Sequence, residues 1–170
     1  MTTDNTDRRS VIMTKVMPPT FANFSGHVHG GHLMQFLDYV SYVCATRYCG
    51  LPTVTVSVDS ITFQQPVYIG ELITCYASVN YVGRTSMEIG IRTEAENLVS
   101  GKKRHVISCY FTFVAIDEKT KRPTAVKPLT INNAVEERRY EAAKLRRELR
   151  GEYAKRHQEI KIKNQNNPQS

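Results

Sequence analysis

The chain contains no run of 18 or more apolar residues, so no segment of it is expected to cross a bilayer as a helix. Its polar, charged N-terminus lacks the apolar stretch of a secretory signal, and a soluble, cytoplasmic protein without a membrane partner is expected. There is no Cys-x-x-Cys spacing. The four cysteines, Cys44, Cys49, Cys75 and Cys109, fall inside apolar stretches and are expected to be reduced, buried and structural. No recognisable base lies near Cys49 to make it a nucleophile. The Gly-Lys-Ser/Thr ending of a P-loop is missing, as is any internal repeat or low-complexity block. At 170 residues the chain suits one domain with a core of its own.

What is present begins with Asn23-Phe24-Ser25-Gly26-His27-Val28-His29-Gly30-Gly31-His32, a glycine-rich loop running into an apolar helix. Free N–H groups of a first helical turn, at the positive end of the helix dipole, suit an anion or a developing oxyanion. Gly30 and Gly31 are the candidate backbone donors. The helix is predicted over 32–48, with Gly50 and Pro52 as its stop signals. On a helical wheel Leu33, Leu37, Val40 and Cys44 share one face, while Met34, Asp38, Tyr42 and Ala45 share another. A helix apolar nearly all round is a buried one, which makes Asp38 a lone carboxylate in apolar company. So little polar surface calls for cover on more than one side, from a second subunit or equally from a larger monomeric core.

Strands are predicted around 11–17, 54–63, 72–82, 87–92 and 104–116 from period-two alternation. In the second, Val54, Val56 and Val58 alternate with polar residues, then Ile61 and Phe63 resume on the other parity, so a bulge is predicted near Asp59-Ser60. No helices alternate with the later strands, so the sheet is antiparallel and the class α+β. The organisation expected is a domain over 8–130, a helix over 131–157, and disordered tails at 1–7 and 158–170.

The net charge is +7, of which the stretch from residue 132 onward carries +4 through ten Lys/Arg and six Glu. A basic surface favours anionic ligands. Opposite charges at Lys144–Glu148 and Glu152–Arg156 support a solvated helix there. It lacks a helix-turn-helix pattern, and nucleic acid is not an expected partner. His27, His29 and His32 form a His-x-His-x-x-His cluster, but it straddles a loop and a helix start with no clear fourth ligand, so no metal is expected.

Five ordered blocks carry a resemblance. They are Asn23-x-x-Gly26-x-Val28-His29-Gly30-Gly31 with Leu37-Asp38, then Val54-Thr55-Val56-Ser57-Val58-Asp59, and Phe63-x-x-Pro66-x-x-x-Gly70-Glu71. Gly83-Arg84-Thr85-Ser86-Met87-Glu88 and Tyr110-Phe111-Thr112-Phe113-Val114-Ala115 complete the set. Over about residues 10 to 130 the chain resembles acyl-CoA thioesterases of the hotdog superfamily, in the branch of the bacterial short- and medium-chain enzymes and the brain-type acyl-CoA hydrolase.

The resemblance implies a curved antiparallel sheet wrapped around the central helix, here with a C-terminal helical extension. It implies hydrolysis of acyl-CoA to fatty acid and coenzyme A, with coenzyme A part of substrate and product and no separate cofactor. It gives Asp38 the role of general base or nucleophile, and Asn23 that of positioning the water or the carbonyl. It has His29 brace the loop. It assigns the nucleotide end of coenzyme A to Gly83, Arg84, Thr85 and Ser86, and the edge of the pantetheine channel to Thr55, Val56 and Ser57. It further implies dimers whose sites combine groups from both subunits, assembling into hexamers. The alternative on the same fold is a non-catalytic acyl-CoA sensor, which would keep the phosphate turn without needing the carboxylate. A hydratase would want an Asp/His pair on a motif that is not found.

Overall fold

The computed structural model describes residues 8–165, so the expectations for 1–7 and 166–170 lie outside the described residues. The chain divides into two units between Thr130 and Ile131.

The first unit is one antiparallel sheet packed on one long helix. Its strands are β1 (Ser10–Val16), β2 (Thr53–Phe63), β3 (Leu72–Val82), β4 (Ser86–Glu96) and β5 (Lys103–Ala115), and the helix is α1 (Gly30–Cys49). The strand order is β1-β3-β4-β5-β2, so β1 and β2 are the edges. In-register alternation sends Met87, Ile89 and Ile91 of β4 and Cys109, Phe111 and Phe113 of β5 into the core, where Leu33, Leu37, Val40 and Cys44 of α1 meet them. α1 touches all five strands. It ends where Gly50 turns left-handed at φ 69°, a conformation that costs glycine little.

Burial of α1 is one-sided in the single chain. On the second apolar face Met34 and Tyr42 are 45% and 42% exposed, with Tyr39 beside them at 54%, so apart from the fully buried Ala45 that face is not covered by this chain's own sheet. A five-stranded sheet can shield only one side of a helix, and sequence alone does not say which apolar face it takes.

β2 carries two bulges, one at the predicted place and one more. Its register with β5 shifts between Val58 and Ser60, and also between Thr55 and Ser57. The extra shift puts Val54 opposite Val114 and Val58 opposite Phe111, so these valines do not share a face as the alternation implied. A third shift, between Val79 and Tyr81 of β3, lays the Asn80 side chain over Gly90. Such bulges bend a sheet.

The second unit is α2 (Ala134–Gln165). Asn133 caps it, its Oδ1 accepting the N–H groups of Val135 (3.1 Å) and Glu136 (3.0 Å). The helix runs eight residues beyond the end expected at 157, so 158–165 is helical and not disordered. The segment after His157 is polar and has no core of its own to join. Its Gln, Glu, Ile and Lys nonetheless have good to fair helix propensity, and the preceding turns hand on a formed nucleus. Among the described residues no helix is long and apolar enough to cross a membrane.

Candidate active site

Asn23 organises the loop before α1. Its Oδ1 accepts from the N–H groups of Ser25 (2.9 Å) and His27 (3.0 Å), while its own N–H donates to the carbonyl of His27 (2.7 Å). Gly26 completes the turn at φ 76°. With the oxygen filled by two donors, what Asn23 has left to offer is the Nδ2 N–H pair. The loop is held from outside by Val28 N–H donating to the carbonyl of Val67 (2.9 Å) and His29 N–H to that of Phe21 (2.8 Å).

The helix start separates two glycines that the sequence treated as a pair. His29 is the N-cap, and its Nδ1 accepts the N–H of Gly31 at 2.9 Å. Gly31 is therefore already committed, a correction to its expected role as a free donor. The N–H of Gly30 has no partner among the described residues. Gly30 also lines a cavity of 380 Å³, together with Asn23, His27, Phe63, Gln64, Gln65 and Val67. The other histidines are occupied by packing: His32 stacks on Phe21 at 4.1 Å between centroids, and His27 lies against Tyr68 at 5.1 Å.

Asp38 sits two turns further along α1, half-buried. Thr55 Oγ1 donates to its Oδ1 at 2.7 Å. The sequence placed Thr55, Val56 and Ser57 together along a channel, and the structure divides them. Thr55 points to Asp38, Val56 is a bulge residue 59% exposed, and Ser57 donates to Asp59 Oδ1 (3.1 Å). Ser57 pairs with Thr112, which itself donates to Asp59 Oδ2, so Ser57 lies on the sheet face away from α1. The first bulge of β2 is the cause.

Gly83-Arg84-Thr85-Ser86 is the tight β3–β4 turn, closed by Gly83 N–H donating to the Ser86 carbonyl at 2.8 Å. The Gly83 amide is thus spent inside the turn, whereas the Arg84 side chain is exposed. The carbonyls of Arg84 and Thr85 are tied to the N–H groups of Val126 and Ala115, which fixes the turn against the end of β5.

These groups fall into two sets. Gly30 and Asp38 are eight residues apart on one helix, about 12 Å at 1.5 Å per residue. On β2, Phe63 meets the Gly30 end and Thr55 meets Asp38, a separation on the order of 25 Å less the contraction at two bulges. The Asn23–Gly30 cavity therefore does not contain Asp38.

Two residues near the cavity were missed by the sequence reading. Glu71, 5% exposed, is gripped by both terminal nitrogens of Arg104, one at 2.8 Å, and also accepts the Tyr68 N–H at 2.9 Å. Burial pushes the Glu71 carboxyl up, but the Arg104 and Tyr68 hydrogen bonds and the guanidinium charge outweigh it and hold it below its ordinary range. The available signals were a Gly-Glu strand entry and an arginine near the start of a largely apolar strand, neither specific. None of the four cysteines is in a disulfide; burial pushes Cys75 up to about 11 and Cys109 up to about 12, and raises Cys49.

Residues 25–102 match the thioesterase superfamily. The chain is similar to protein VdlD of Helicobacter pylori, at 46% identity over 149 residues, 88% of this chain and 84% of VdlD. It is 41% identical over 117 residues to an uncharacterized acyl-CoA thioester hydrolase of Zymomonas mobilis, covering 65% of this chain and 74% of that one. Among solved structures, a hexameric acyl-CoA thioesterase superposes with a TM-score of 0.83 at 30% identity, over 86% of this chain and 94% of that one. The acyl-CoA hydrolase of Staphylococcus aureus, solved with butyryl coenzyme A and coenzyme A, superposes at 0.81 and 27% identity, over 90% and 93%. Alanine variants of that enzyme at one asparagine, one aspartate and one threonine have also been solved. Those three positions are spaced by 15 and 17 residues, as Asn23, Asp38 and Thr55 are here.

Proposed function

The chain belongs to the thioesterase superfamily and has its hotdog fold, and on that footing we propose that it hydrolyses acyl-CoA to a free carboxylate and coenzyme A at a site built from two copies of the chain. The observation that carries the reading is the division of the site between the two ends of edge strand β2. Gly30 and Asn23 stand at the Phe63 end, and Asp38 with Thr55 at the other. Antiparallel pairing of β2 with the β2 of a second copy brings the first set of one chain opposite the second set of its partner. The same pairing covers Val54, Val56 and Val58 and the open face of α1 at Met34, Tyr39 and Tyr42, all exposed in the single chain.

The chemistry follows from what each group has left to give. Gly30 N–H, at the positive end of α1, and Nδ2 of Asn23 donate to the thioester oxygen and favour the charge that develops there. Asp38 has Oδ1 held by Thr55 and takes a proton from water through Oδ2. The water oxygen bonds to the carbonyl carbon, the C–S bond breaks, and the coenzyme A thiolate leaves. A thiolate is stable enough to leave without a strong acid, so one carboxylate suffices. Thr55 serves as the orienting partner of the carboxylate in place of a channel edge. Arg84, with the Thr85 and Ser86 hydroxyls, meets the phosphates of coenzyme A. The dimer assembles further into a hexamer, as in the related hexameric acyl-CoA thioesterase.

The test is complementation. Asn23→Ala and Asp38→Ala each lose at least about a hundredfold in thiol release from acyl-CoAs of increasing chain length, with a measurable residue of activity. When the two are refolded together, random pairing gives half the dimers one intact site, and about a quarter of native activity returns. Mixed dimers that form and stay inactive would remove the two-chain site. Tight acyl-CoA binding by the native protein without any thiol release would favour the sensor.

A further inference from the structure

The Glu71–Arg104 pair lies outside the groups assigned to the chemistry, yet it is bonded to the wall of the cavity. Arg104 uses one terminal nitrogen twice, on Glu71 Oε2 (2.8 Å) and on the carbonyl of Pro66 (2.7 Å), with the other on Glu71 Oε1. Its guanidinium lies 5.2 Å from the centre of the Tyr68 ring. Glu71 in turn accepts the Tyr68 N–H, and its backbone joins Met17 through Met17 N–H donating to the Glu71 carbonyl (2.9 Å). Five residues from Pro66 to Gly70, none of them in a helix or in one of the five strands, are thereby clamped at both ends.

The clamped segment is what the Asn23 loop rests on. Val67 offers the carbonyl that Val28 N–H uses, Tyr68 bridges to His27 through the backbone, and His27 supplies both an N–H and a carbonyl to Asn23. No helix or strand interior intervenes between the ion pair and Asn23. The path consists of hydrogen bonds between loop residues, whose geometry packing alone would leave soft.

We propose that Arg104, buttressed by Glu71, is a positioning residue of the thioesterase site, setting the placement of Asn23 through the Pro66–Tyr68 segment. The inference rests on the thioesterase reading for its kinetic consequence but not for its structural one. An arginine is needed because only a planar fork with several donors can hold a carboxylate and a neighbouring carbonyl at once; lysine keeps the charge and loses the fork.

The experiment uses Arg104→Lys in the full-length protein, which retains the ion pair and so is expected to fold. Arg92→Lys, an exposed arginine paired with Glu94 on β4, is the control. Arg104→Lys lowers kcat about tenfold with KM changed less than about twofold, and adds no further loss in an Asn23→Ala background, because both act on the same group. Losses that multiply in the double variant overturn the proposal. Amide exchange gives an answer independent of turnover: at 23–28 it rises about tenfold in Arg104→Lys while β5 keeps native protection. Unchanged exchange at 23–28 overturns the proposal even if the native protein proves active. Altered exchange in a protein that hydrolyses no acyl-CoA upholds the clamp and rejects the thioesterase reading.

Discussion

The Thr55 hydroxyl donates to Oδ1 of Asp38 at 2.7 Å, joining an edge strand to the middle of the central helix. The bond fixes which carboxylate oxygen is held and which faces outward. Thr55→Val should lower kcat about tenfold with little change in KM, and Thr55→Ser should stay near native, since only the hydroxyl is used. Asp38→Ala should cost at least about a hundredfold with the fold retained. Steady-state thiol release for the three variants checks the order, and an active Asp38→Ala would remove the carboxylate from the mechanism.

Arg84 projects from a turn whose backbone is already tied down, so its substitution should not disturb the sheet. Arg84→Ala is expected to raise KM for acyl-CoA about tenfold while kcat changes less than twofold, with the difference shrinking at high salt as the phosphate charge is screened. KM measured at two ionic strengths decides it; a KM equal to native at low salt argues against a phosphate contact.

Glu71 makes a prediction about acid. Its folded pKa is held below the unfolded value of about 4.3, so its contribution to stability is present above that value and is lost as pH falls through the folded pKa. The native Tm should therefore fall more steeply from about pH 5 to pH 3 than the Tm of Glu71→Gln, which has no carboxylate to protonate there. Thermal melts across that range test the sign. Equal slopes would mean that Arg104 does not hold the carboxylate ionised in solution.

Gly90 shows a close approach of a different kind. A Cβ added there would stand 2.2 Å from Nδ2 of Asn80, whose side chain is buried and donates to Glu88 at 3.3 Å. Gly90→Ala should cost about 1–3 kcal/mol, the scale of overpacking, without changing kcat. Chemical denaturation measures the loss. A variant as stable as native would show that Asn80 moves aside freely.

The fold was legible from the chain because its signals are periodic and local. Alternating residues such as Met87, Ile89 and Ile91 must face one side of a strand, and Gly50 followed by Pro52 must end a helix, whatever lies around them. The catalytic candidates Asn23 and Asp38 were legible through motif blocks, and the bulge at Asp59 through a break in parity. The stretch 158–165 is polar yet helical, because polarity alone does not oppose a helix whose residues have fair propensity.

What only the tertiary structure decided concerns partners distant in sequence. Which glycine amide remains free depends on where the His29 ring lies, and whether Thr55 and Ser57 share a face of the sheet depends on the bulge at Val56. The grip of Arg104 on Glu71 joins residues 33 positions apart. A hydrogen bond requires two atoms within about 3 Å at a suitable angle. Sequence supplies the atoms, and only the folded chain brings them that close.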